Sequence, residues 1–121
     1  MAQSVVLLER DPKVAQFLAG GLRSHFKVVY VTHSRDEVRE NVSRNHAEAL
    51  VLDIDYGRLA DVETLHHDFP KLPIVCTHRI PDEELWMAAL EAGASDVCAD
   101  DDLHNVLTSV LRNVELARVA A

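Results

Sequence analysis

Short apolar runs and longer amphipathic stretches take turns along this chain. Val5-Val6-Leu7-Leu8 is apolar at every position and ends in Glu9-Arg10-Asp11. A run that short, without polar residues at helical spacing, predicts a strand covered on both faces. Asp11-Pro12 then predicts a helix start, with Asp as N-cap and Pro at the first helical position. Val14, Phe17, Leu18 and Leu22 follow at core spacing, and Gly20-Gly21 reads as a place of close packing on the sheet. Lys27 to Thr32 predicts a second strand. Ser34 with Glu37 three residues later is a capping box. It opens a more polar helix to about Asn45, with Val38 and Val42 as its thin inner stripe.

Ala49-Leu50-Val51-Leu52-Asp53-Ile54 predicts a third, fully covered strand, and Asp55-Tyr56-Gly57 a loop. A weaker helix runs from Leu59 to Phe69, with Val62 and Leu65 inward, and Pro70 stops it. Pro73 to Thr77 is a fourth strand leading into His78-Arg79. Pro81-Asp82 starts a helix over residues 83–92, and Gly93 closes it as a C-cap. Its inward stripe is Leu85, Ala88, Ala89 and Ala92, which leaves Trp86 and Leu90 on an outer flank. Asp96 to Ala99 is a short fifth strand entering Asp100-Asp101-Asp102. Leu103, Leu107, Val110, Leu111 and Val114 mark the last helix. Strands alternating with helices through short connections predict βαβ units and a parallel sheet with helices on both faces. All 121 residues, 1–121, read as one domain.

Composition narrows the function classes. Hydrophobic residues make up 48% of the chain and charged residues 26%, which fits a globular domain. A formal net charge of −8 argues against a direct nucleic-acid surface, which needs clustered Lys and Arg. Met1-Ala2-Gln3-Ser4 leads straight into the first strand with no signal peptide, and no apolar run is long enough to span a membrane. Cys76 and Cys98 each sit inside an apolar run, where inert thiols in a reducing compartment are expected, hence the cytoplasm. His66-His67 does not read as a metal pair, because helix neighbours point apart.

Candidate chemistry gathers at the carboxyl ends of the strands, where open parallel sheets bind ligands. Delivered there are Glu9, Arg10 and Asp11; Asp53 and Asp55; His78 and Arg79; Asp100 and Asp101. No glycine-rich phosphate loop exists, which excludes a nucleotide or flavin carrier. Asp53 ends a covered strand, where a carboxylate needs a cation or hydrogen-bond donors. A carboxylate so placed can act as a nucleophile toward a phosphoryl group.

These features together resemble the receiver domain of bacterial two-component response regulators. The resemblance rests on the apolar first strand with acid and then Pro12, the third strand ending in Asp53, Pro73-Ile74-Val75, and Ala92-Gly93-Ala94-Ser95-Asp96. It covers Val5 to about Leu116. It implies a flavodoxin-like fold with strand order 2-1-3-4-5 and places Asp53 at the phosphoacceptor position. It implies Mg²⁺ held by Glu9, Asp53 and the Asp55 carbonyl. It further implies a histidine kinase or phosphotransfer protein as phosphodonor. A target protein or a second copy would bind on the face of helix four, strand five and helix five, which carries Trp86 and Leu90.

The pattern breaks at the chemical positions. Arg10 stands where the family has its second metal-binding acid. His78 replaces the switch Ser or Thr, with Thr77 one residue early and expected on the opposite side. Asp100 replaces the Lys, and Val97 the aromatic switch residue. Arg10 removes a metal ligand and adds a repelling charge, and Asp100 repels phosphate. One expectation is that the Arg10 guanidinium bridges Asp53 with Asp100 or Glu9 and locks the domain without phosphate. The sequence therefore predicts a signalling receiver with an atypical site in a phosphorelay. The alternative is a pseudo-receiver that binds proteins independently of phosphorylation. Neither is an enzyme with turnover. A metal-dependent phosphohydrolase would need a second ligand acid and a general acid, which Arg10 and Asp100 displace.

Overall fold

The computed structural model describes residues 2–55 and 58–120; the loop expected at Tyr56-Gly57 lies outside the described residues. The elements in order are β1 (Ala2–Leu8), α1 (Pro12–Leu22), β2 (Phe26–Thr32), α2 (Arg35–Asn45), β3 (Ala49–Asp53), α3 (Leu59–Asp68), β4 (Ile74–His78), α4 (Glu83–Ala92), β5 (Asp96–Ala99) and α5 (Leu103–Ala120). The strands form one parallel sheet in the order β2-β1-β3-β4-β5.

The helix starts obey local chemistry. Asp11 accepts from the Lys13 amide at 2.9 Å and Pro12 opens α1. Ser34 accepts from the Glu37 amide at 3.1 Å, while the Glu37 carboxylate accepts from the His33 amide at 2.6 Å. Asp82 accepts from the Leu85 amide at 2.8 Å, and Gly93 ends α4 at φ 116°. A side chain there would be strained and would collide with the His66 ring, so glycine joins α4 closely to α3.

Strand alternation divides the core in two. Val5, Leu7, Val51, Val75 and Cys98 face α1 and α5; Val6, Leu8, Leu50, Leu52, Ile74, Cys76 and Val97 face α2, α3 and α4. The thiols thus sit on adjacent strands but on opposite faces. Burial pushes Cys76 up to about 12 and Cys98 up to about 11. The buried stripe of α1 is Ala15, Leu18, Ala19 and Leu22, spaced i, i+3, i+4, i+7. Phe17, expected in the core, lies one residue off that stripe and is 47% exposed. Gly21 packs against Leu103 of α5 rather than on the sheet. On the other face, Arg35 pairs with the buried Asp61 at 2.6 Å and Arg39 pairs with Asp68, which ties α2 to α3.

Candidate functional site at the carboxyl edge of the sheet

Strand register brings the acids together. Leu8 pairs with Leu52 and Asp53 with Thr77, so Glu9, Asp53 and Thr77 lie side by side beyond the α1/α5 core layer. Asp53 is 2% exposed and Glu9 6%. Burial on that scale requires partners, and the backbone supplies several. Asp53 Oδ2 accepts from the Arg10 amide at 3.2 Å and Oδ1 from the Asp55 amide at 2.8 Å. Glu9 Oε1 receives a long contact from the Asp11 amide at 3.5 Å. Thr77 Oγ1 donates to Glu9 Oε2 at 3.3 Å.

Thr77 therefore points into the site, against the expectation that it faces away. Its pairing with Asp53 puts both side chains on one face of the sheet. The Arg10 bridge is also corrected. Arg10 reaches Asp53 only through its backbone N–H, and its side chain is exposed. Among the described residues its guanidinium forms no ion pair with Glu9, Asp53 or Asp100. A charged guanidinium that stays in water gains little by entering a pocket whose main acceptor is already satisfied by amides.

With no side-chain cation between them, the carboxyls interact directly. Burial, a hydrogen bond from its own carboxyl to Asp53 and the Asp53 charge push Glu9 up to about 8. Glu9 therefore holds its proton well above the ordinary carboxyl range, as a buried acid beside another carboxyl does. Asp100 is raised as well, first by burial and then by Asp101, Asp53 and Asp55, with the exposed Arg79 offsetting part of the effect.

His78 fixes the adjoining loops. Its Nδ1 accepts from the Ile80 amide at 3.0 Å, so the ring proton sits on Nε2. Nε2 donates to Asp55 Oδ1 at 2.8 Å. The His78 carbonyl accepts from the Asp100 amide at 3.0 Å. The imidazole thus links the segment after β3 to the segment after β4, and the backbone of the same residue holds the segment after β5. Asp55 Oδ2 is buried without a partner among the described residues.

The donor set fits Mg²⁺ poorly. That ion wants oxygen ligands in near-octahedral order, usually carboxylates in their charged form. Here both Asp53 oxygens accept backbone N–H groups, and Arg10 stands where the pair would have its second acid. Among the described residues no three His, Cys, Asp or Glu side chains converge well enough to hold a metal.

No family model and no curated protein sequence matches the chain. Solved structures do. The N-terminal signal receiver domain of a two-component response regulator from Bacteroides fragilis superposes with TM-score 0.86 at 19% identity, covering 94% of this chain and 98% of that one. A CheY-like response regulator receiver domain protein from Methanospirillum hungatei gives TM-score 0.86 at 12% identity over 100% of both chains. NtrX from Brucella abortus, solved in complex with ADP, gives TM-score 0.83 at 21% identity; 99% of this chain is covered, but only 28% of NtrX. The fold is the receiver fold.

Within the receiver fold, Asp53, Glu9, Asp55, His78 and Asp100 converge at the carboxyl edge, as expected, and Arg10 contributes only its amide. Trp86 and Leu90 lie elsewhere, on α4. Trp86 is 43% exposed and Leu90 half-buried, with exposed Met87 and Ile80 nearby in sequence. His67 is exposed and contacts Asp68 at 3.2 Å, whereas His66 packs under Gly93 with a buried, unpartnered Nδ1. The reading of the sequence missed Thr77 and the Glu9 proton.

Proposed function

We propose that this chain is a receiver-type signalling module that works by binding proteins, without taking a phosphoryl group at Asp53. The observation that carries the reading is the setting of Asp53: held by two backbone amides beside the buried Glu9, with Arg10 and Asp100 in place of a second acid and a cation. An incoming phosphoryl group needs cations on its equatorial oxygens. Asp53 meets Asp100 and Asp55 instead. The His78 links hold the loops in one arrangement, so the conformation presented to a partner is set by the protein's own hydrogen bonds. The partner is a target protein or a second copy docking on α4, β5 and α5 around Trp86 and Leu90. The domain acts in the cytoplasm, and it is not an enzyme with turnover.

The test is treatment with acetyl phosphate and beryllofluoride in millimolar Mg²⁺. Intact mass, amide NMR shifts and Trp86 fluorescence would be followed together. The expected result is no adduct and no shift at the Asp53 edge. A phosphoryl adduct on Asp53 would restore the phosphorelay reading, with a histidine kinase or phosphotransfer protein as its source.

A further inference from the structure

The opposite edge of the sheet holds a cleft that the signalling chemistry does not use. It lies where α2, the turn after α3 and the last turns of α5 meet, and its volume is about 540 Å³. Val42, Ala47, Phe69, Leu72, Val114 and Ala117 give it apolar walls. Small-molecule sites are mostly apolar concavities of roughly 300–1,000 Å³ with a few polar groups that fix orientation.

Charged groups at the rim are not equivalent. Glu48 accepts from Arg118 Nε at 3.0 Å and from Nη2 at 2.7 Å, and also from the Gln3 amide at 2.8 Å. Asp68 is paired with Arg39. Both rim acids are thus neutralised within the protein. Lys71 and His46 also line the cleft, and neither side chain has a partner among the described residues. The rim therefore presents one unpaired ammonium and one unpaired imidazole over an apolar floor, in a chain whose net charge is −8. His46 is also the one non-glycine residue with positive φ among those described, at 50°. It is the C-cap of α2, where a left-handed residue commonly ends a helix and here turns the chain into the cleft wall.

We propose that this cleft binds a small amphipathic anion, an apolar body carrying a carboxylate or sulfonate head, with the head at Lys71 and His46 and the body between Phe69 and Val114. The site lies across the sheet from Asp53 and stands whether or not Asp53 takes phosphate. Ala47 and Glu48 of the cleft immediately precede β3, which begins at Ala49 and ends at Asp53.

The test is a titration of the purified chain with 8-anilinonaphthalene-1-sulfonate, followed by competition with octanoate and by amide NMR. Expected are saturable one-to-one binding, displacement by octanoate, and shifts at Val42, Ala47, Phe69 and Val114. Lys71→Glu, an exposed substitution, should weaken binding tenfold or more, and Ala117→Trp should fill the cleft and abolish it. Met87→Glu, on the separate exposed patch of α4, should leave binding unchanged. The proposal falls if binding is absent, if it ignores Lys71→Glu, or if Met87→Glu removes it. It falls equally if Ala117→Trp shifts the chain between dimer and monomer, which would make the cleft an interface between copies.

Discussion

Replacing Glu9 by Gln tests the acid pair most directly. Glutamine keeps the shape of the protonated carboxyl and can donate to Asp53, but it cannot ionise. In the parent, Glu9 is raised from its ordinary 4.5 to about 8. Between those values the folded protein holds a proton that the unfolded chain has lost. Stability contributed by Glu9 is therefore greatest below pH 4.5, falls as pH rises toward 8, and is flat above it. Each pH unit across that window is worth roughly 1.4 kcal/mol, which sets a ceiling of ~5 kcal/mol. The proton is shared with Asp53, and relaxation takes up part of the effect, so a loss of about 1–3 kcal/mol is the working figure.

Urea denaturation at pH 5, 6, 7, 8 and 9 would measure it, with Glu9→Gln and the parent side by side. Other groups, Asp100 among them, contribute to the slope of both proteins, and the difference isolates Glu9. The variant should have the flatter profile and be the more stable protein at pH 9. Parallel profiles would refute the protonated pair. So would a variant less stable than the parent at pH 9, since that would make the Glu9 carboxylate a stabilising anion.

Three further outcomes follow from the same geometry. Arg10→Asp with Asp100→Lys returns an acid and a cation to the edge, and acetyl phosphate with Mg²⁺ should label Asp53 in the double variant where the parent stays unlabelled, read by intact mass. Gly93→Ala forces a left-handed alanine into the His66 ring and should destabilise the fold by about 1–3 kcal/mol in urea titration. Cys76 and Cys98, raised to about 12 and 11, should not react with a thiol reagent at pH 8 until the chain unfolds; fast labelling of the folded protein would contradict their placement.

Most of the fold was legible because each strand is a bare apolar run and the helices announce their starts. Asp11-Pro12, Ser34 with Glu37, and Asp82 with Gly93 all do what their side chains dictate. Phe17 was misplaced because a helix stripe can be read one residue off when apolar residues flank it on both sides. The face of Thr77 was harder for a physical reason. A strand covered on both faces carries no hydrophobic alternation to say which side a residue takes. Arg10 illustrates a different limit. Its charge matched the pocket on paper, but the amide of the same residue already satisfied Asp53, and the guanidinium stayed in water. The cleft at Lys71 and His46 left no mark in the sequence, since its walls come from α2, the turn before β4 and α5.

Of the departures from the receiver pattern, Val97 is packed in the core, whereas the charged ones fall on residues that the core does not need. Val5 to Leu8, Leu50 to Leu52 and Ile74 to Cys76 are buried and carry the packing, whereas Arg10, His78 and Asp100 sit just past the last buried layer. Exchanging them leaves the sheet intact and changes only the balance of charge above it. That balance still has to close. Glu9, Asp53, Asp55 and Asp100 crowd one edge, and no side-chain cation enters among them. Two ionised carboxylates in contact out of water repel strongly. Removing one negative charge with a proton relieves that repulsion without any new residue, and the raised Glu9 is that solution. A proton on Glu9 does at this edge what a metal ion would do for a pair of charged acids. The edge is thus an acid cluster in which Asp53 is held by backbone amides and Asp55 is tied by His78 to the segment after β4.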